Sequence, residues 1–129
     1  MYYNVSDAVI GIHIYGTVMA CGMISGLRQG DKATFSGYFH RGFQTPTITG
    51  PIGLAALKYF IDKHSLNKVI CTVQSEHRAA RLYCRRIGMK QDGCLRREKR
   101  VGGVWYDYCL YSILKGELED GRDACTQVQ

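Results

Sequence analysis

The chain has 129 residues, 46% hydrophobic and 22% charged, with 17 Lys and Arg against 11 Asp and Glu for a formal net charge of +6. That length holds one domain, the apolar fraction excludes wholesale disorder, and the charge favours anionic ligands without making a polybasic tail. No apolar run approaches the ~18 residues of a membrane span, and Met1-Tyr2-Tyr3-Asn4 has no basic segment ahead of an apolar core, so neither a span nor a signal peptide is expected.

Taken in chain order, the first forty residues read as three strands. Ala8 to Tyr15 is rich in Val and Ile, Tyr15-Gly16 suits a turn, and Thr17 to Ser25 is a second apolar run. Gly26 to Lys32 is polar and glycine-rich, and Ala33 to Phe39 supplies Phe35, Tyr38 and Phe39 for packing; this spacing predicts an antiparallel meander. Gln44 to Pro51 contains two prolines and three threonines and breaks the pattern. Ile52, Ala55, Ala56, Tyr59 and Phe60 then fall at i, i+3, i+4, i+7 and i+8, on one face of a helix running to about His64. Pro51 fits its first turn, with Thr49 or Gly50 as the N-cap. Lys68 to Val73 is a β-branched run read as a buried strand. Glu76 to Ile87 is a basic amphipathic helix stopped by Gly88. Met89 to Arg100 and Val104 to Leu114 form a hairpin turned by Gly102-Gly103. The expected fold is α+β, in the order β-β-β-α-β-α-β-β, as one domain over residues 1–118 with a polar tail over residues 119–129.

Six cysteines are present, but no Cys-x-x-Cys pair, and His13, His40, His64 and His77 are scattered without ligand spacing. Free thiols in a reducing cytosol, and no metal, are the expectation. The physically distinctive place is the junction at residues 44–52. Backbone N–H groups at a helix start are unpaired and carry the positive end of the helix dipole, so an anion such as a pyrophosphate is stabilised there.

Four pieces carry a family resemblance: Gly50–Lys63 with Leu66-Asn67-Lys68-Val69; Glu76 to Tyr83; Ile87-Gly88-Met89 with Gly93 and Leu95-Arg96; and Trp105 to Leu114. In their order and separations, Ile48 to Leu118 resembles the C-terminal half of the GNAT superfamily of N-acetyltransferases, closest to the branch that acetylates ribosomal-protein N-termini, amino sugars and small amines. The resemblance implies a mixed sheet with helices packed on it, and transfer of an acetyl group from acetyl-coenzyme A (acetyl-CoA) to a protein or small-molecule amine by direct attack. The family's first strand and helices have no counterpart in the few residues before Ala8, which implies an open acceptor side suited to a large substrate or to a homodimer. The pruning and the threonine-rich loop also resemble acetyltransferase-like proteins of bacteriophage genomes, implying a cytoplasmic protein, in the host cytoplasm if phage-encoded.

Carried over residue by residue, the family's pyrophosphate loop falls on Gln44-Thr45-Pro46-Thr47-Ile48-Thr49, followed by Gly50. Gln44 matches its first position, whereas Thr47 and Thr49 stand where glycines are usual, so hydroxyls would replace a closer backbone approach. Tyr83 matches the tyrosine that protonates the leaving thiolate, a role suited to a phenol O–H; packing one turn after Ala79 is its structural alternative. His77 stands where a pantetheine-binding asparagine is common, with Arg78 beside it. For the base, His40 is best placed, ahead of Asp107 and Glu76. Arg78, Arg81 and Arg85, with Arg96, Arg97 and Arg100, suit either a coenzyme phosphate or an acidic partner, nucleic acid included. Two rivals therefore stand beside the acetyltransferase: a non-catalytic binder of a host protein or nucleic acid, and an enzyme modifying a nucleobase amine.

Overall fold

The computed structural model describes residues 8–41 and 46–119. Strands β1 (Ala8–Ile14) and β2 (Thr17–Ser25) leave only Tyr15 and Gly16 between them, at φ 49° and 78°. These left-handed angles let a two-residue turn follow the twist of its strands. β3 (Lys32–Phe39) returns antiparallel along β2, completing the meander. Helix α1 (Pro46–His64) crosses over, and β4 (Lys68–Gln74) then runs parallel to β3. Helix α2 (Arg78–Arg86) precedes the hairpin of β5 (Lys90–Val101) and β6 (Val104–Leu114), and a short α3 (Lys115–Glu119) follows. The six strands form one sheet in the order β1-β2-β3-β4-β6-β5.

One face of this sheet carries the core. Ile24, Ala33, Phe35, Val69, Val73, Cys109, Tyr111 and Ile113 occupy alternating strand positions and are buried. They form one cluster with Leu57, Phe60 and Ile61 of α1 and Cys84 and Ile87 of α2. Alternation puts every second side chain on the same face, so both helices lie on the same side of the sheet.

The predicted order holds, with two corrections to α1 and one addition. The helix begins at Pro46, so Thr47, Ile48, Thr49 and Gly50 are helical rather than loop, and Pro51 lies inside. Either proline has the fixed φ of a first helical residue; the earlier one takes that place, and Pro51 removes one backbone bond near the helix start. The buried stripe also differs. Gly53, Ala56, Leu57, Phe60 and Ile61 face the sheet, while Ala55 and Tyr59 are exposed. Both stripes are apolar, so periodicity alone does not choose between them. The bulkier Leu57 and Ile61 go inward, and Tyr59 keeps its hydroxyl outward, where it accepts a bond from Lys63 Nζ at 3.1 Å. Unforeseen α3 is tied down by an ion pair of Glu117 with Lys90, at 2.6 Å. Residues 120–129 of the polar tail lie outside the described residues.

Leu57→Ala is expected to cost about 2–5 kcal/mol in chemical denaturation, and Tyr59→Ala less than about 1 kcal/mol. Equal losses would contradict the inward stripe.

Candidate active site

β3 and β4 pair only at Lys32↔Lys68, Ala33↔Val69 and Thr34↔Ile70. Beyond that, β3 stays with β2 as far as Phe39↔Ala20, and β4 stays with β6 as far as Gln74↔Tyr108. Each strand follows its other neighbour, and the two part. A cleft of about 840 Å³ fills the gap, walled by Phe35–Phe39 of β3, Cys71–Gln74 of β4, the inner side of α2, and Thr49.

Three elements aim their side chains at this cleft. α2 starts on His77, whose ring Nδ1 accepts the N–H of Ala80 at 3.2 Å, and stops at Gly88, which takes φ 92°. This phasing puts Ala79, Tyr83 and Arg86 on the cleft side, as their spacing of three to four residues requires. Tyr83 is half-buried, and its hydroxyl donates to the carbonyl oxygen of Thr49 in α1 at 3.1 Å. Phe39 packs edge-on against its ring, with centroids 5.4 Å apart. Burial first, and then the neighbouring Cys84 and Cys71 thiols, push the phenol well above the usual tyrosine range. It is therefore a proton donor across the physiological range and not a base.

Gly53 makes this seat possible. A Cβ there would overlap the Tyr83 hydroxyl and stand 3.0 Å from Ile87 Cγ2. At Gly50, one turn nearer the helix start, a Cβ would touch the stem of Arg86 at 3.6 Å. The Arg86 side chain therefore lies across the first turns of α1, where no acidic residue is present. The first turns of α1, through Thr49, and the cationic Arg86 side chain both line the cleft, with the Arg86 stem beside Gly50. Among the described residues no carboxylate pairs with Arg86, and that arrangement favours an anion.

The predicted residues fall in several places. Tyr83, His77 and Thr49 line the cleft, and Gly50 lies under Arg86. Gln44 and Thr45 lie outside the described residues; Thr47 and Ile48 belong to the first turn of α1. Arg78 is exposed at the start of α2. His40 follows β3 directly, its N–H donating to Met19 O at 2.7 Å, and among the described residues it is not part of the cleft wall. Arg81 is engaged with the Tyr111 hydroxyl at 3.3 Å and the Ser75 carbonyl at 3.2 Å. Asp107 accepts the N–H of Arg97 at 2.9 Å, where β5 bulges. The arginine pattern at positions 78, 81 and 85 does not single out Arg86; its place three residues after Tyr83 is the signal for it. At the cleft floor the Cys84 thiol donates to Cys71, sulfur to sulfur 3.8 Å, which lowers the Cys71 pKa and raises that of Cys84. The five described cysteines are free thiols, and no metal-binding group is found among the described residues.

No protein-family model matches the chain. An uncharacterized N-acetyltransferase of Bacillus subtilis, YnaD, is 27% identical over 79 residues, 61% of this chain and 46% of that protein. The chain thus spans about half the length of this curated relative. The crystal structure of a GNAT-family acetyltransferase from Bacillus anthracis matches with a TM-score of 0.73 at 19% identity, over 84% of this chain and 66% of that one. The chain has the GNAT acetyltransferase fold. Mycobacterium smegmatis RimJ, solved in complex with CoA-disulfide, gives a TM-score of 0.73 at 20% identity, over 92% of this chain and 56% of its own. In this GNAT fold, the parted strands are β3 and β4 and the crossover helix between them is α1.

Gly53→Ala should destabilise by about 1–3 kcal/mol through overpacking, and adding Tyr83→Phe should recover part of the loss. Strictly additive losses in the double-mutant cycle would contradict the contact.

Proposed function

We propose that the chain binds acetyl-CoA in the cleft between β3 and β4 and transfers the acetyl group to an amine. One observation carries this reading: a helix N-terminus, Arg86 and a half-buried phenol border one cleft between parted strands. Around 840 Å³ lies within the range of ligand sites. On this reading the N-terminal turn of α1, with Gln44, Thr45, Thr47, Ile48, Thr49 and Gly50, holds the pyrophosphate jointly with Arg86. The edges of β3 and β4 that face the cleft offer backbone groups to the amides of the pantetheine arm, with His77 lining the cleft and Arg78 next to it in sequence.

The amine nitrogen forms a bond to the thioester carbonyl carbon, and the carbon–sulfur bond breaks with its electron pair leaving on sulfur. Tyr83 gives its proton to that thiolate and is reprotonated from solvent. The proton lost by the amine passes through water to His40 or to solvent. In that role the Tyr83 O–H would turn from the Thr49 carbonyl toward the leaving sulfur. Because burial holds the phenol protonated, the rate should not fall as pH rises through ~10, where an ordinary tyrosine ionises.

The acceptor is an amine of a protein or small molecule, and the open sheet is compatible with nucleic acid. Among the described residues no helix is long and apolar enough to cross a membrane, and a cytoplasmic location is part of the proposal. Homodimerisation is also part of it: the sheet edge β1 exposes Val9, Ile12 and Ile14, and an exposed apolar edge strand invites pairing.

Tyr83→Phe should lower kcat by about 10²-fold or more, with the KM for acetyl-CoA nearly unchanged and the protein still folded. Arg86→Ala should weaken acetyl-CoA binding by about 10-fold or more, the worth of a charged hydrogen bond, while leaving acetyl-pantetheine, which lacks the pyrophosphate, unaffected. Calorimetry and steady-state kinetics read both. Full activity in Tyr83→Phe, or equal loss for both ligands in Arg86→Ala, would contradict these roles.

A further inference from the structure

The outward apolar stripe of α1 is not idle surface. Ile52, Ala55 and Tyr59 border a second cavity, of about 260 Å³, between α1 and the first three strands. Its other walls include Ile10, Ile12 and Ala20, and the lining is almost entirely carbon. Small residues keep it open. At Gly22 a Cβ would stand 3.1 Å from the Phe35 ring and 3.4 Å from Ala56 Cβ, so the space persists because side chains are missing there.

This cavity shares a wall with the cleft. Phe35, Gly37, Phe39 and Tyr83 line both. The three β3 residues fall on one face, at i, i+2 and i+4, so Gly37 leaves a notch between two phenyl rings. A Cβ at Gly37 would make ordinary contact with Cys21 O and the Phe35 ring at 3.7–3.8 Å, so the notch is about one carbon wide. A thioester whose sulfur lies beside Tyr83 therefore has an apolar chamber across the notch.

We infer that this chamber receives the carbon chain of an acyl group longer than acetyl, so that medium-chain or aryl acyl thioesters of coenzyme A serve as donors beside acetyl-CoA. The inference rests on the reading of the cleft as a coenzyme A site. Apolar cavities of about 150 Å³ stay dry and take up a benzene molecule, so 260 Å³ holds a chain of several methylenes or a phenyl ring. The chemistry is unchanged. The same carbon–nitrogen bond forms, the same carbon–sulfur bond breaks, and free coenzyme A leaves with its thiol protonated.

The test titrates the protein with acetyl-, butanoyl-, hexanoyl- and octanoyl-CoA by calorimetry, then repeats the series with Ala55→Leu. Ala55 is exposed on α1 and borders only the chamber, and leucine is nearly as good a helix former, so the variant folds. Affinity should rise with chain length by up to about fourfold per methylene, as ~0.8 kcal/mol per buried methylene implies, until the chamber is full. Ala55→Leu should remove most of that rise while leaving acetyl-CoA affinity unchanged. Equal binding of all four esters would overturn the inference and leave the coenzyme A site standing, as would a chain-length preference untouched by Ala55→Leu. Failure of every ester to bind the folded protein would remove the coenzyme A reading itself, and the inference with it.

Discussion

β3 and β4 are parallel, and they hold each other only from Lys32 and Lys68 to Thr34 and Ile70. Past those three pairs, each strand has an antiparallel partner on its far side that runs on: β2 beside β3 to Phe39, and β6 beside β4 to Gln74. A strand secured on one side and free on the other follows the twist of the secured side, so the two diverge. The sheet stays continuous below the split and opens above it. Everything proposed for this protein is placed by that opening. It leaves strand edges facing a gap, the crossover helix starts at one end of the gap, and the helix after β4 forms its inner wall.

The two helices meet at this opening through very little material. Tyr83 of α2 reaches the backbone of α1 at Thr49, and Gly53 has no side chain to stop it. Arg86, one turn on, lies over Gly50. A side chain at Gly53 would push α2 away and separate the phenol from the helix N-terminus, whereas a Cβ at Gly50 would only touch the Arg86 stem. The juxtaposition of a positive helix end with an arginine is unfavourable unless an anion is present. Burial of the phenol keeps its proton in place. An anion-seeking end and a proton-donating wall are thus consequences of the same helix contact.

Much of the fold was legible because its signals are local. The strand of residues 17–25 and that of residues 104–114 were read at their observed limits, since β-branched and aromatic runs end at glycines or polar turns. Tyr15-Gly16, Gly88 and Gly102-Gly103 mark turns by positive φ, as their composition suggested. The first turn of α1 was not legible, because Pro46 and Pro51 are equally suited to open a helix and only the tertiary position of the crossover separates them. Nor was the inward stripe, because α1 is apolar on two sides and burial follows residue bulk and the reach of the Tyr59 hydroxyl. At the site, Tyr83 and His77 were picked out through a family likeness. Arg86 needed the phase of α2 against α1, which depends on a contact between residues more than thirty positions apart.

Hydrogen exchange of backbone amides, with and without acetyl-CoA, tests the central claim most directly. The account predicts added protection confined to Phe35–Phe39, Cys71–Gln74 and the first turns of α1, with β5 and the β5–β6 turn unchanged. Saturable binding that protects none of those segments, or protects β5 and the turn instead, would contradict a coenzyme site between the parted strands.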